Sequence, residues 1–137
     1  MEECIFCNIV EGKIPSKTVY EDAHVKAFLD VKPSAPGHTL VIPKVHSETL
    51  ADIPEDTIIF LFSGVRKVLR VLEESLSPNG FTVGINNGKG AGQEVDHLHI
   101  HLIPRWKDDG GGSINTVVNN TTNQSIDEIF ETIKKHS

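Results

Sequence analysis

The sequence predicts an α+β fold, in which an antiparallel five-stranded sheet packs with one long helix and a short C-terminal helix. Five short apolar runs have the length and the flanking residues of strands, and one longer run has helical periodicity. The links between the second and third strands, and between the fourth and fifth, are too short for the helical crossover of a parallel pair. We therefore expect antiparallel pairing.

The strands are expected at intervals along the chain, each bounded by residues that interrupt regular structure. The run "KPSAPGH" marks the end of the second strand, and Pro43 closes the third, because proline lacks the N–H that a sheet ladder uses. The expected strands lie from Thr18 to Tyr20 and over residues 24–31, 38–43, 81–86 and 97–104.

The long helix is predicted from Pro54 to Leu76, where apolar residues recur at helical spacing. Pro54 suits a first helical turn, and the run "SPNG" after Leu76 ends the helix. A residue pair of the capping-box type, Ser125 and Glu128, predicts a second helix over residues 125–136. Its apolar stripe consists of Ile126, Ile129, Phe130 and Ile133.

Composition indicates an ordinary globular protein, expected to form a single domain over residues 1–137. Residues 107–124 are polar and glycine-rich, which predicts a flexible arm able to contain a short strand. The net charge of −6 argues against a general nucleic-acid or membrane-surface binder, which would need a basic face. The start of the chain lacks the basic region of a secretory signal, so the expected location is cytoplasmic.

The two cysteines, Cys4 and Cys7, have C-x-x-C spacing, which is typical of a redox pair or of half a zinc site. A thioredoxin-type motif follows a strand, yet only three residues precede Cys4. The spacing therefore favours zinc, with two unpaired thiols as the remaining alternative.

Three histidines alternate in the run "HLHIH", at His97, His99 and His101. On a regular strand they would share one face, about 6.6 Å apart, which is too wide for all three to bind one metal and suits two adjacent sites. A tetrahedral zinc needs four nitrogen or sulfur ligands, so the two cysteines would need His46 and one of these three. The spacing alone leaves open which histidine that is, and His38 could partner those that remain.

These motifs together resemble the histidine triad (HIT) family of nucleotide hydrolases and transferases, in its zinc-containing, Hint-like branch. The run "HLHIHLIPR" resembles the signature that names the family, and "CIFCNIVEGKIPSK", "AFLDVKPSAPGHTLVIPKVH" and "NNGKGAGQEVDHLHIH" agree with it. The match covers residues 1–106, whereas the arm and the final helix lie outside it. The resemblance implies a HIT-like fold and a homodimer.

The resemblance also implies an activity, the hydrolysis of purine nucleoside monophosphate derivatives through a covalent nucleotidyl-histidine intermediate. Nucleoside 5'-phosphoramidates or aminoacyl-adenylates would be the substrates, and AMP or GMP the product. One alternative is a hydrolase of dinucleoside polyphosphates such as Ap4A or Ap3A. Another is a nucleotide-binding or interaction module without turnover, which would have no need of a nucleophile.

The resemblance assigns roles to individual residues. His99 would be the nucleophile, with His101 and His38 beside the phosphate. Cys4, Cys7, His46 and His97 would hold one structural zinc ion per chain. The nucleotide would be bound by an apolar base slot (Ile5, Phe6, Ile9, Phe28, Leu29 and Val31), by Asp30 at the ribose, by Asn86 and Gln93 at the phosphate, and by Glu94 near the leaving group, where animal members often carry Ser or Thr.

Overall fold

The computed structural model describes residues 3–137. Five strands form one sheet: β1 (Thr18–Glu21), β2 (Val25–Leu29), β3 (Thr39–Pro43), β4 (Gly80–Gly84) and β5 (Ile100–Arg105). The α-helices are α1 (Ile5–Val10), α2 (Glu55–Leu76) and α3 (Ile126–Lys134), and short 3-10 turns lie at Lys89–Ala91 and Ile114–Thr116.

The sheet has the order β1-β2-β3-β5-β4, and every neighbouring pair is antiparallel. The predicted α+β class, with an antiparallel five-stranded sheet, a long helix and a C-terminal helix, is therefore confirmed. At the centre of the sheet β3 pairs with β5, and Leu40 lies opposite His101. This pairing places the loop before β3 beside the third histidine of the triad.

One face of the sheet is covered by α2. Leu61, Val65 and Val68 of this helix are buried against strand residues such as Val25 and Ile100. Gly64 permits the close approach, because a Cβ atom at this position would lie 2.7 Å from Cγ2 of Val25. The prediction of this helix from apolar spacing is confirmed to within one residue at its start.

The opposite face of the sheet is covered by α1, a helix that the sequence did not predict. Phe6 and Ile9 pack there against Phe28, together with Leu40 and Ile42. The Sγ atom of Cys4 accepts a hydrogen bond from the N–H of Cys7 at 3.3 Å and caps the helix. Cysteine is not among the common N-cap residues, which is why this start was not recognised.

The predicted start of β5 is wrong. The strand begins at Ile100, so His97 and His99 lie in an irregular segment before it. In this segment the N–H of Leu98 donates to the carbonyl of Ser47 at 2.7 Å, in place of a bond to a neighbouring strand. The alternation of faces is nevertheless confirmed, since Leu98, Ile100 and Leu102 pack in the core beneath α2 whereas the rings of His97 and His99 both contact Phe6 of α1.

Residues 107–137 are exposed throughout. The predicted capping box is confirmed, since the Ser125 hydroxyl accepts from the N–H of Glu128 and the Glu128 side chain accepts from the N–H of Ser125. The short strand considered for the arm is replaced by the 3-10 turn at Ile114–Thr116. No helix among residues 3–137 combines the length and apolar character needed to cross a membrane.

Candidate active site and metal centre

Cys4, Cys7, His46 and His97 converge on one point, with their ligand atoms all within 4.8 Å of one another. The Sγ atom of Cys4 lies 3.3 Å from Nδ1 of His97, and Sγ of Cys7 lies 3.3 Å from Nδ1 of His46. The two thiols come from the N-cap and the first turn of α1, whereas the imidazoles come from the loop after β3 and the segment before β5. We refer to these four residues as the thiol cluster.

The thiol cluster has the donor chemistry of a structural metal site. His97 is 0% exposed, and its Nε2–H donates to the carbonyl of Pro43 at 2.9 Å. A neutral imidazole carries one proton, so Nδ1 keeps its lone pair, and this is the nitrogen that faces the sulfur atoms. Burial lowers the pKa of His97 to about 4, which keeps the ring neutral at pH 7. These four residues therefore fit a metal ion.

The Cys7 thiol keeps its proton until a metal binds. Burial, followed by the neighbouring Cys4 side chain, raises its pKa. The thiol is therefore protonated in the metal-free protein near neutral pH, and binding of a metal would release its proton.

His99 is oriented by the main chain of the thiol cluster. Its Nδ1–H donates to the carbonyl of His97 at 2.7 Å, so the lone pair of the neutral ring is on Nε2. The side chain is 6% exposed, and the edge of its ring contacts Phe6 at a centroid separation of 5.2 Å. The arrangement leaves His99 with one free nitrogen, which suits a nucleophile.

Asp30, His38 and His101 form a second group, which we call the imidazole cluster. Nε2 of His38 lies 2.9 Å from Nδ1 of His101 and 3.6 Å from Oδ2 of Asp30. On its other side, Nδ1 of His38 accepts from the N–H of Ser34 at 3.0 Å. The ring of His101 also contacts that of His99, with centroids 5.1 Å apart.

Burial keeps the two histidines of the imidazole cluster neutral. It lowers the pKa of His101 to about 4, and the neighbouring His99 and His38 add to this effect. It also lowers the pKa of His38, against the opposing charge of Asp30. At pH 7 both rings therefore carry one proton each, and the position of that proton decides which nitrogen can donate.

The residues assigned to the base slot differ in their exposure. Phe6, Ile9 and Phe28 are buried in the core beneath α1, and Leu29 is half-buried. Ile5 is 52% exposed and Val31 is 92% exposed, so these side chains are available to a ligand. The structure thus divides the set into a packed part and an accessible part.

The residues assigned to the phosphate and leaving group also differ in their exposure and in their hydrogen bonds. The Gln93 side chain accepts from the N–H of Gly88 and donates to the carbonyls of Glu48 and Val95, at 2.6 to 2.9 Å. Its amide therefore holds the glycine-rich loop in place. Asn86 and Glu94 are exposed, and the charge of Glu94 acts on the pKa of His101, which places it on that side of the site.

Comparison with known proteins identifies this arrangement. The sequence profile of the HIT domain matches residues 11–108. The chain belongs to the HIT family. An uncharacterised HIT-like protein of Methanocaldococcus jannaschii is 46% identical over 133 residues, which cover 96% of this chain and 98% of that protein. An adenosine 5'-monophosphoramidase of Candida albicans is 38% identical over 136 residues, with 96% of this chain and 90% of that protein covered.

Solved HIT structures share the fold. A HIT family member from Bacillus subtilis superimposes with a TM-score of 0.85 at 40% identity, covering 98% of this chain and 97% of that one. A zinc-bound histidine triad protein from Mycobacterium smegmatis superimposes with a TM-score of 0.75 at 35% identity, covering 90% of this chain and 85% of that one. The chain is therefore a HIT protein with a cluster able to hold a metal.

Sequence reasoning missed the main-chain groups that orient the histidines of this HIT site. They are the carbonyls of Pro43 and His97 and the N–H of Ser34. Every residue type offers a carbonyl, and every type except proline an N–H, so no residue pattern could have marked these positions.

Proposed function

We propose that this HIT protein hydrolyses purine nucleoside monophosphate derivatives, either nucleoside 5'-phosphoramidates or aminoacyl-adenylates, and releases AMP or GMP. The observation that carries the proposal is the hydrogen bond from Nδ1 of His99 to the carbonyl of His97, which fixes the ring and assigns the lone pair of its neutral form to Nε2. The name of the Candida albicans relative, an adenosine 5'-monophosphoramidase, supports the substrate class.

The reaction proceeds in two displacements at phosphorus. Nε2 of His99 attacks the α-phosphorus, and the bond from phosphorus to the leaving group breaks, so that the leaving group departs with the bonding electron pair and gains a proton. Water then attacks the phosphorus of the nucleotidyl-histidine, loses a proton and frees His99 with the nucleoside monophosphate. The second displacement restores the enzyme.

The neighbouring residues stabilise and position the substrate. His101 donates to the phosphoryl oxygens as negative charge develops on them. The half-buried Asp30 accepts from the ribose hydroxyls with the oxygen atom not used by the N–H of Lys32. Glu94 is on the leaving-group side, and the exposed Ile5 and Val31 contact the base.

Zinc is the metal we assign to the thiol cluster, as a structural ion. Two thiolates and two imidazoles would complete the four ligands that a structural zinc ion prefers, with no open position for substrate. A bound ion would tie α1 to the segment that carries His97 and His99. The zinc-bound Mycobacterium smegmatis homologue supports this assignment.

The test compares turnover with binding in two variants. We expect His99→Ala to abolish hydrolysis of adenosine 5'-phosphoramidate, because no other group replaces the nucleophile, while nucleotide affinity and folding remain. His136→Ala, at an exposed histidine near the C-terminus, is the matched control and should retain full turnover. Turnover by His99→Ala would refute the mechanism.

A substrate panel then separates the alternatives for the wild-type enzyme. Faster cleavage of diadenosine polyphosphates than of the phosphoramidate would instead identify a dinucleoside polyphosphate hydrolase. Nucleotide binding without turnover of either substrate would identify a binding module.

A homodimer is also part of the proposal. Large apolar side chains remain exposed on the outer surface of α2, at Ile59 and Phe62, and on α3, at Ile126 and Phe130. A second copy would bury such surfaces. Light scattering during gel filtration should give twice the chain mass, and a monomer at micromolar concentration would contradict this.

A further inference from the structure

The loop before β3 brings a main-chain donor to the imidazole cluster. The N–H of Ser34 lies 3.0 Å from Nδ1 of His38. A peptide N–H can only donate, so Nδ1 of His38 must accept and cannot carry the proton. The proton of the neutral His38 ring is therefore on Nε2.

The same reasoning extends one residue further. Nε2–H of His38 points towards Nδ1 of His101 at 2.9 Å and lies farther, 3.6 Å, from Oδ2 of Asp30. Because Nε2 of His38 donates, Nδ1 of His101 accepts, and the proton of His101 is on Nε2. Among residues 3–137, Nε2 of His101 is the buried side-chain nitrogen or oxygen atom that has no hydrogen-bond partner.

We propose that the main-chain N–H of Ser34 is a positioning group, which fixes the tautomer of His38 and through it that of His101, so that His101 presents an N–H donor to the site. The inference rests on the proposed function for the acceptor of that donor, an oxygen of the substrate's phosphoryl group. A buried donor without a partner is costly in the free protein, and a phosphoryl oxygen would satisfy it. The main chain thus sets the chemistry of a side chain two hydrogen bonds away.

The loop holds this N–H in a fixed direction. The N–H of Asp30 donates to the carbonyl of His38 at 2.9 Å, and the N–H of His38 donates to the carbonyl of Ala35 at 3.1 Å. Proline at positions 33 and 36 fixes the backbone on both sides of Ser34. The amide is therefore preorganised before substrate binds.

The tautomers also decide between two uses of the imidazole cluster. Asp30, His38 and His101 have ligand atoms within 4.8 Å of one another, a spacing that would suit a divalent metal. A metal at Nε2 of His38 would require the proton to move to Nδ1, where it would meet the N–H of Ser34. The Ser34 amide thus disfavours metal binding and keeps the cluster as a donor.

The experiment removes the N–H without removing a side chain. Ser34→Ala keeps the amide and is the matched control. Lactic acid at position 34, the hydroxy-acid analogue of alanine, replaces the N–H with an ester oxygen. Nitrogen-15 NMR of the ligand-free proteins then reports which imidazole nitrogen of His38 and of His101 carries the proton.

We expect wild type and Ser34→Ala to show protonated Nε2 at both histidines. The ester should raise the share of protonated Nδ1 in His38 roughly fivefold, as expected for loss of one hydrogen bond. The kcat for the phosphoramidate should fall by at most the same factor, in proportion to the share of rings that still present Nε2–H, with KM nearly unchanged, because the lost donor acts mainly in the transition state.

Two results would overturn the inference. One is a wild-type His38 that carries its proton on Nδ1, which needs only the unmodified protein. The other is a folded ester variant with the tautomers of Ser34→Ala. The spectra are recorded without substrate, so failure of the proposed reaction would leave the tautomer result standing, and the two failures are distinguishable.

Discussion

The thiol cluster and the imidazole cluster each contain two histidines, yet the main chain prepares them for opposite tasks. In the thiol cluster the carbonyl of Pro43 accepts a hydrogen bond from Nε2–H of His97, so the lone pair of Nδ1 faces two sulfur atoms. In the imidazole cluster the N–H of Ser34 donates a hydrogen bond to Nδ1 of His38, so the proton on Nε2 of that ring faces His101. The first arrangement offers a lone pair to a metal, and the second offers a proton to an acceptor.

The same residue type, histidine, thus directs a lone pair to its neighbours in one cluster and a proton in the other. Both clusters meet a distance criterion for metal binding. The direction of one hydrogen bond to the main chain separates them, because a neutral imidazole has one proton and one lone pair. His99 lies between the clusters. Like His97, it donates a hydrogen bond to a main-chain carbonyl, and its Nε2 is free.

The largest expected effect is loss of metal from the thiol cluster alone. Cys7→Ser should lower the zinc content from one ion per chain to near zero, and it should destabilise the fold by at least about 3 kcal/mol, because metal binding contributes to folding free energy. His38→Asn, in the other cluster, should retain one ion. Elemental analysis measures the zinc content, and thermal unfolding measures the stability. Two ions per wild-type chain, or loss of metal in His38→Asn, would contradict the expectation that only the thiol cluster binds metal.

The next effect is loss of the donor from the imidazole cluster. His101→Phe keeps a ring but removes its N–H, so kcat for the phosphoramidate should fall by about 10²- to 10³-fold, the usual cost of removing one donor to a developing oxyanion. Zinc content should remain at one ion per chain. A variant with nearly full kcat would show that His101 does not contact the reacting group.

The smallest effect is on the pH dependence of stability in the metal-free protein. The pKa of His97 and that of His101 are both about 4 in the fold, below the ordinary value of 6.5. The folded state therefore favours the neutral rings, and this stability is complete above pH 6.5 and is lost as pH falls towards 4. Each ring contributes a slope of up to about 1.4 kcal/mol per pH unit.

Urea unfolding between pH 7.5 and pH 5 measures this slope. His101→Asn removes one of the two rings, so its slope should be smaller by the contribution of one proton, whatever its stability at pH 7.5. Equal slopes in the two proteins would mean that His101 is not held neutral by the fold.

The sequence predicted the architecture better than the details of the site. Apolar periodicity placed α2 within a residue of its observed start, since a helix that buries one face has apolar residues at helical spacing in its sequence. It missed α1, where a sulfur atom caps the helix. It also extended β5 over His97, because Leu98, which lies between His97 and His99, is buried without belonging to a strand.

For the site, the resemblance to the HIT family named residues that the structure brings together at both clusters. Their roles stay predictions until the variants are measured. Gln93 illustrates the limit, since its assignment to the phosphate stays a prediction while the motif gave no sign of the three main-chain groups that its side chain bonds. Such bonds depend on how distant segments meet, which a local motif does not encode.

The main-chain contacts at Pro43, His97 and Ser34 have a consequence for protein design. A designer who grafted only the histidines, cysteines and aspartate onto another scaffold would copy the side chains but lose the atoms that set their protons. The graft would need the loop before β3 and the bend before β5 as backbone templates. In this protein the smallest unit that could be transferred with the site intact is a set of chain segments.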